Sequence, residues 1–292
     1  MLSSLKTNNV TYLNPGTVIL IGIPGLEHVQ FWIGFPFFTV CLVALLGNII
    51  LLIIIPAEHS LHQPMYIFLA VLAATDIGLC AAIAPKMLAI FWFRAYSMAF
   101  DACLAQLFFI HTLQGMESGI LLAMAFDRYI AICDPLRHTS ILTPSILGRM
   151  IVVVVIRVVV LVGLLPILIK RLHHLRSIQI AHSYCEHMAV VKLAADDVQV
   201  NKICGLFVGF SVLGFDMVFI IISYAHFVFL EFYILAFFSF FSHRLGHVVP
   251  STHILLTIYL LLPPALNPIV YGVKNMVMKR VAQIFFLDHA HQ

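Results

Sequence analysis

Apolar residues fall in long blocks along this chain, separated by short polar stretches. Blocks of roughly 20 mostly apolar residues are the length of helices that cross a lipid bilayer. Six meet that length, at residues 32–55, 66–91, 104–124, 146–169, 203–224 and 254–271. A further apolar run at 227–241 follows the fifth almost without a break. The pattern predicts an all-α membrane protein with six clear spans and a seventh that is compressed. Composition supports this: the 292 residues are 62% hydrophobic and only 10% charged, far from the balance of a soluble globular domain.

The first 30 residues lack a basic region followed by an apolar core and carry Pro15, Gly16, Pro24 and Gly25 instead. No cleavable signal is expected there, and the first span is expected to act as its own targeting signal. Asn9-Val10-Thr11 is a glycosylation sequon, which argues for an N-terminus outside the cell. Counting cations argues the other way. With the N-terminus outside, Arg128, Arg137, Arg149, Lys274, Lys279 and Arg280 face the cytoplasm, while Lys6, Arg94, Lys170, Arg171, Arg176, Lys192, Lys202 and Arg244 face out.

The third block runs into MAFDRYIAIC (residues 124–133), which sets Asp127, Arg128 and Tyr129 at the end of a long apolar helix. Charges in that position call for a role. Gly47-Asn48 in the first block, PMYIFLAVLAATD (64–76) in the second, Ser223-Tyr224 after the fifth and LNPIVYGVK (266–274) near the end stand in order with it. Together these motifs resemble the odorant receptors, a family of rhodopsin-like G-protein-coupled receptors. HSYCEHMAVVKLA (182–194) and FSFFSHRLGH (238–247) resemble their fish-like first class.

The resemblance implies a seven-transmembrane helix bundle at 31–273 with a shortened connection between its fifth and sixth helices. It also implies an extracellular tail at 1–30, a second outer loop at about 170–201 and a cytoplasmic tail at 274–292. It places the Asp127-Arg128-Tyr129 end in the cytoplasm and gives Asp127, Arg128, Tyr129, Tyr224, Asn267, Pro268 and Tyr271 to the G-protein switch. The structural alternative for Arg128 is an interfacial arginine snorkelling from a helix end. Of the six cysteines, Cys103 at the start of the third helix and Cys185 in a polar loop are placed to pair in an oxidising compartment. The others read as packing residues. The family's second pair of loop cysteines is absent here, with Leu175 and Ala195 at the matching positions.

Asp76, Glu117, Asp216 and Glu231 fall inside apolar spans, where a charge at the bilayer centre costs roughly 2.5–3.5 kcal/mol. The resemblance implies a polar core of Asn48, Asp76 and Glu117 that holds water or a cation; the alternative is a protonated, hydrogen-bonded carboxyl pair with a packing role. Arg157 in the fourth span is expected to point at protein or headgroup rather than ligand. A ligand site between helices, mostly apolar with a few convergent polar groups, is expected from His111, Phe210, Gly214, Ser239, Phe240 and Arg244. Arg244 would receive the carboxylate of a small acid, since a guanidinium matches that planar group. The alternative is that it pins its helix to Glu186, Asp196 or Asp197. Fifteen histidines invite a metal, but they lack ligand spacing and read as loop residues. The chain also carries no HExxH, GxSxG or phosphate loop, so an enzyme is not expected, nor a cofactor.

The largest departure from the family lies between Tyr224 and Tyr233. Members place about thirty residues there; this chain has AHFVFLEF. Two spans and a turn need at least about 40–45 residues, and residues 202–241 supply 40 with no glycine or proline after Gly214. The expectation is therefore an odorant receptor at the plasma membrane, binding small volatile carboxylic acids and activating an olfactory stimulatory heterotrimeric G protein, with lipid as solvent and no nucleic acid. The alternative is a truncated, non-signalling receptor retained in the endoplasmic reticulum or acting by pairing with other receptors.

Overall fold

A computed structural model describes residues 12–13, 16–58, 63–133, 137–172 and 174–223. Within them the chain forms β1 (Tyr12–Leu13), β2 (Thr17–Leu20), α1 (Gln30–Ala57), α2 (Pro64–Phe93), β3 (Ser97–Ala99) and α3 (Phe100–Cys133). There follow α4 (His138–Ile141), α5 (Pro144–Lys170), β4 (His174–Leu175), β5 (Gln179–Ile180) and α6 (His187–Val191). The fifth rod is composite: α7 (Gln199–Gly209), a π turn (Phe210–Gly214) and α8 (Phe215–Ser223). Five helical rods are long and apolar enough to cross a membrane. They match the first five apolar blocks, and the sixth and seventh runs lie outside the described residues.

Lipid-facing character is written in what these helices leave uncovered. On α5, Val153, Ile156 and Val160 are each about three-fifths exposed, which in water would be an aggregation surface and in hydrocarbon is neutral. The helices run past their apolar blocks. The third extends to Cys133 rather than stopping near residue 124, so Asp127, Arg128 and Tyr129 sit within the helix and not beyond it.

Two apolar clusters fill the bundle. One lies around Phe68, Leu72 and Ile120 towards the Arg128 end. The larger lies towards the Cys103 end, where Val18, Leu20 and Ile23 of the N-terminal segment are fully buried. This segment is the centre of a three-stranded sheet in the order β3-β2-β5, antiparallel to β3 and parallel to β5. A second small sheet pairs β1 with β4. Gly22 adopts φ 82°, and an added Cβ there would stand 2.5 Å from Gln30 Oε1. That close approach lets the buried Gln30 amide donate to Ile21 O at 3.3 Å and Ile23 O at 3.0 Å, tying the segment to the start of α1.

Candidate functional site

The chemistry at the Cys103 end rests on a rigid frame. Cys103, in the first turn of α3, is bonded to Cys185 with Cα atoms 5.5 Å apart. Beside it the buried Gln106 donates to Ala82 O at 2.9 Å and accepts from Cys185 N at 3.1 Å, so one amide joins α2, α3 and the second loop. Lys86 Nζ donates to Ala95 O and Ser97 O, both at 2.7 Å, and fixes the loop after α2. Glu186 caps α6 by accepting from Ala189 N at 2.7 Å. Where the family's second loop disulfide would sit, Leu175 pairs with Ala194 in a β bridge and Ala195 N donates to His174 O at 2.8 Å. His174 Nδ1 stands 3.2 Å from Asp196 Oδ1.

Of the expected ligand residues, His111, Phe210 and Gly214 are described. His111 Nδ1 donates to Leu107 O, one turn back on its own helix, at 2.8 Å. Phe210 and Gly214 open and close the π turn. Ser239, Phe240 and Arg244 lie outside the described residues, as do Asn9, Glu231, Tyr224, Asn267, Pro268 and Tyr271. Of the switch set, Asp127 is buried, Tyr129 is half exposed, and Arg128 Nη2 contacts Met65 Sδ at the start of α2.

The polar core comes together. Asn48 is buried on α1 and donates to Ala44 O at 3.0 Å. Asp76 and Glu117, both buried, are in hydrogen-bond contact across α2 and α3. Two carboxyls in contact in an apolar core cannot both remain bare anions; a shared proton or a cation must hold them. Cys41 and Cys80 meet in the same region as a thiol–thiol hydrogen bond between α1 and α2.

A second polar cluster was legible only in pieces. Asp216, fully buried, accepts from Arg157 Nη2 at 2.6 Å and from Ser118 Oγ at 2.8 Å on the same oxygen, Oδ2. Arg157 therefore points at protein, and its guanidinium also lies 5.7 Å from the centre of the Phe215 ring. Ser118 was missed by sequence reasoning, as was its setting. Gly115 and Gly119 flank it in a small-xxx-small pattern, which permits close helix approach in membranes. An added Cβ at Gly115 would lie 2.7 Å from Val158 Cγ1, and one at Gly119 would lie 2.5 Å from Val154 Cγ1. The spacing of those glycines was the available signal.

The comparisons with known proteins agree with this arrangement. A family model described as olfactory receptor matches residues 37–229 and 225–288. Olfactory receptor 52A1 of Homo sapiens is 53% identical over 93% of this chain and 96% of its own length. Olfactory receptor 52A5 of Homo sapiens is 51% identical over 97% and 98%, and olfactory receptor 51E1 of Homo sapiens 46% over 94% and 95%. The two matched stretches of the family model overlap at 225–229. The alignment with 52A5 runs over 314 positions against the 292 of this chain, so that relative carries at least 22 residues (314 less 292) with no counterpart here. Members of this family are multi-pass membrane receptors that take odorants and couple to G proteins, and they are not enzymes. With the family pattern matched across both stretches and relatives matched nearly end to end, the chain belongs to the olfactory receptor family.

Proposed function

We propose that this receptor binds small volatile carboxylic acids in the outer half of its bundle and activates an olfactory stimulatory G protein. In this reading residues 1–30 lie outside the cell, 31–273 form the seven-helix domain with its second outer loop at about 170–201, and 274–292 form the cytoplasmic tail. The observation that carries the ligand class is Arg244 in FSFFSHRLGH, a guanidinium beside the aromatic residues Phe240 and Phe241. Such a fork receives a carboxylate bidentately where water is scarce. His111, Phe210, Gly214, Ser239 and Phe240 complete the pocket. Asn48, Asp76 and Glu117 form the polar core beneath it, and Asp127, Arg128, Tyr129, Tyr224, Asn267, Pro268 and Tyr271 form the switch. Dose–response curves for short-chain acids test the ligand reading: Arg244→Ala abolishes the response while an N-terminal epitope still stains on unpermeabilised cells. An unchanged curve refutes it.

A second reading is favoured by the overlap of the two family matches at 225–229, which falls where the loop and inner half of the sixth helix are missing from the sequence. In the family that half-helix swings outward to admit the G protein. A receptor without it binds ligand but signals weakly, or is retained in the endoplasmic reticulum. Cyclic AMP assays separate the two. Absent signalling that returns when a family-like loop is inserted between Tyr224 and Glu231 supports the truncated reading, and a robust response from the chain as it stands removes it.

A further inference from the structure

The fifth rod changes its buried face halfway along, and the charge cluster stands where the change occurs. In α7 and the π turn the buried residues are Asn201, Gly205, Val208 and Val212, at steps of four, three and four. An uninterrupted α-helix continues that stripe through residues 215 and 219, because its faces repeat about every 3.6 residues. The structure buries Asp216 and Ile220 instead and leaves Phe215 50% and Phe219 45% exposed. The face has moved by one residue, a rotation of about 100°.

The π turn accounts for the shift. Phe215 N–H donates to Phe210 O, five residues back, so one extra residue is accommodated in the turn. A π turn has poorer intrinsic stability than an α turn and persists where something specific repays it. Here that is Asp216. Only in the shifted register does its carboxylate reach both Ser118 on α3 and Arg157 on α5. In the unshifted register Phe215 occupies the inward stripe, and Arg157 is left without its counter-ion in the middle of an apolar helix, at a cost that hydrocarbon makes severe.

We propose that Asp216, Arg157 and Ser118 are positioning residues that lock the register of the fifth helix, and thereby decide which of its side chains form the ligand wall. The π turn they hold carries Phe210 and Gly214. The consequence for ligand choice rests on the proposed pocket, but the lock itself does not.

The test is a lipid-quenching measurement on purified receptor in vesicles of brominated phosphatidylcholine. The chain has two tryptophans, Trp32 and Trp92; with both changed to Phe, a single Phe219→Trp reports the orientation of α8. With the cluster intact the indole faces bromine and is strongly quenched. In the charge-free pair Arg157→Leu with Asp216→Leu, the rod relaxes to a continuous α-helix, residue 219 turns inward and that quenching is lost, while circular dichroism keeps its helical signal. Strong quenching unchanged in the charge-free pair overturns the proposal. If that pair does not fold, Arg157→Gln with Asp216→Asn keeps the shape and removes the charges, and the same two outcomes decide. No odorant is needed, so a failed ligand response counts against the pocket and not against this lock.

Discussion

Gly119→Ala offers a quantitative test of how α3 and α5 are held together. The new Cβ would stand 2.5 Å from Val154 Cγ1, 3.0 Å from Cγ2 and 3.3 Å from Cβ, where carbon atoms rest at about 3.5–4.0 Å. Val154 is β-branched and confined to one rotamer in a helix, so it cannot swing away, and the helices must part by about 1 Å. Overpacking of this kind costs about 1–3 kcal/mol. Alanine also has a higher helix propensity than glycine by about 1 kcal/mol, which would mask part of that loss. Gly148→Ala on α5 provides the correction, because a Cβ there meets nothing within 4 Å. The difference between the two variants removes the propensity term and should be about 1–3 kcal/mol against Gly119→Ala. Thermal unfolding of purified receptor in detergent measures it. Adding Val154→Ala should return most of the difference, as a double-mutant cycle requires for a direct contact. Equal stabilities for Gly119→Ala and Gly148→Ala, or no recovery in the double variant, would refute the close approach.

Leu175→Cys with Ala194→Cys should form a disulfide across the β bridge and, closing a loop of about 20 residues, raise stability by about 3 kcal/mol; peptide mapping and a thermal melt check both. Cys103→Ser opens a loop of 82 residues, and on the same scale the loss is about 4.5 kcal/mol, seen as loss of surface staining. Glu117→Gln keeps a hydrogen-bonding partner for Asp76 and should leave the melting temperature nearly unchanged, whereas Glu117→Leu removes it at a cost of about 1–3 kcal/mol.

Hydropathy revealed the rods because length alone marks a spanning helix, and five of them stand where the blocks predicted. Their ends were less legible. Once buried, Asp127 and its neighbours continue the third helix past its apolar block, and local hydropathy does not report burial. The N-terminal strand was invisible for a different reason: Thr17–Leu20 is a short apolar run whose strand character comes from partners about 80 and 160 residues away. Asp216 and Arg157 each drew notice as charges in apolar spans, but nothing in sequence order says that they meet. Their pairing depends on the π turn, and the π turn depends on their pairing.

The cluster and the shortened segment bear on one helix from opposite sides. Asp216 is nine residues before the overlap of the family matches at 225–229, about two and a half turns, or roughly 13 Å, along a helix. A fifth helix anchored by Ser118 and Arg157 takes its position from α3 and α5, so its register does not rely on the connection that follows it. Loss of about thirty residues beyond Tyr224 then leaves the first five rods their packing, and the disulfide frame with them. What the loss removes is reach beyond Tyr224. For a receptor whose family signals by moving its sixth helix, ligand capture and signal output therefore become separable properties of the chain. The loop insertion and the Arg244→Ala dose response measure them one at a time.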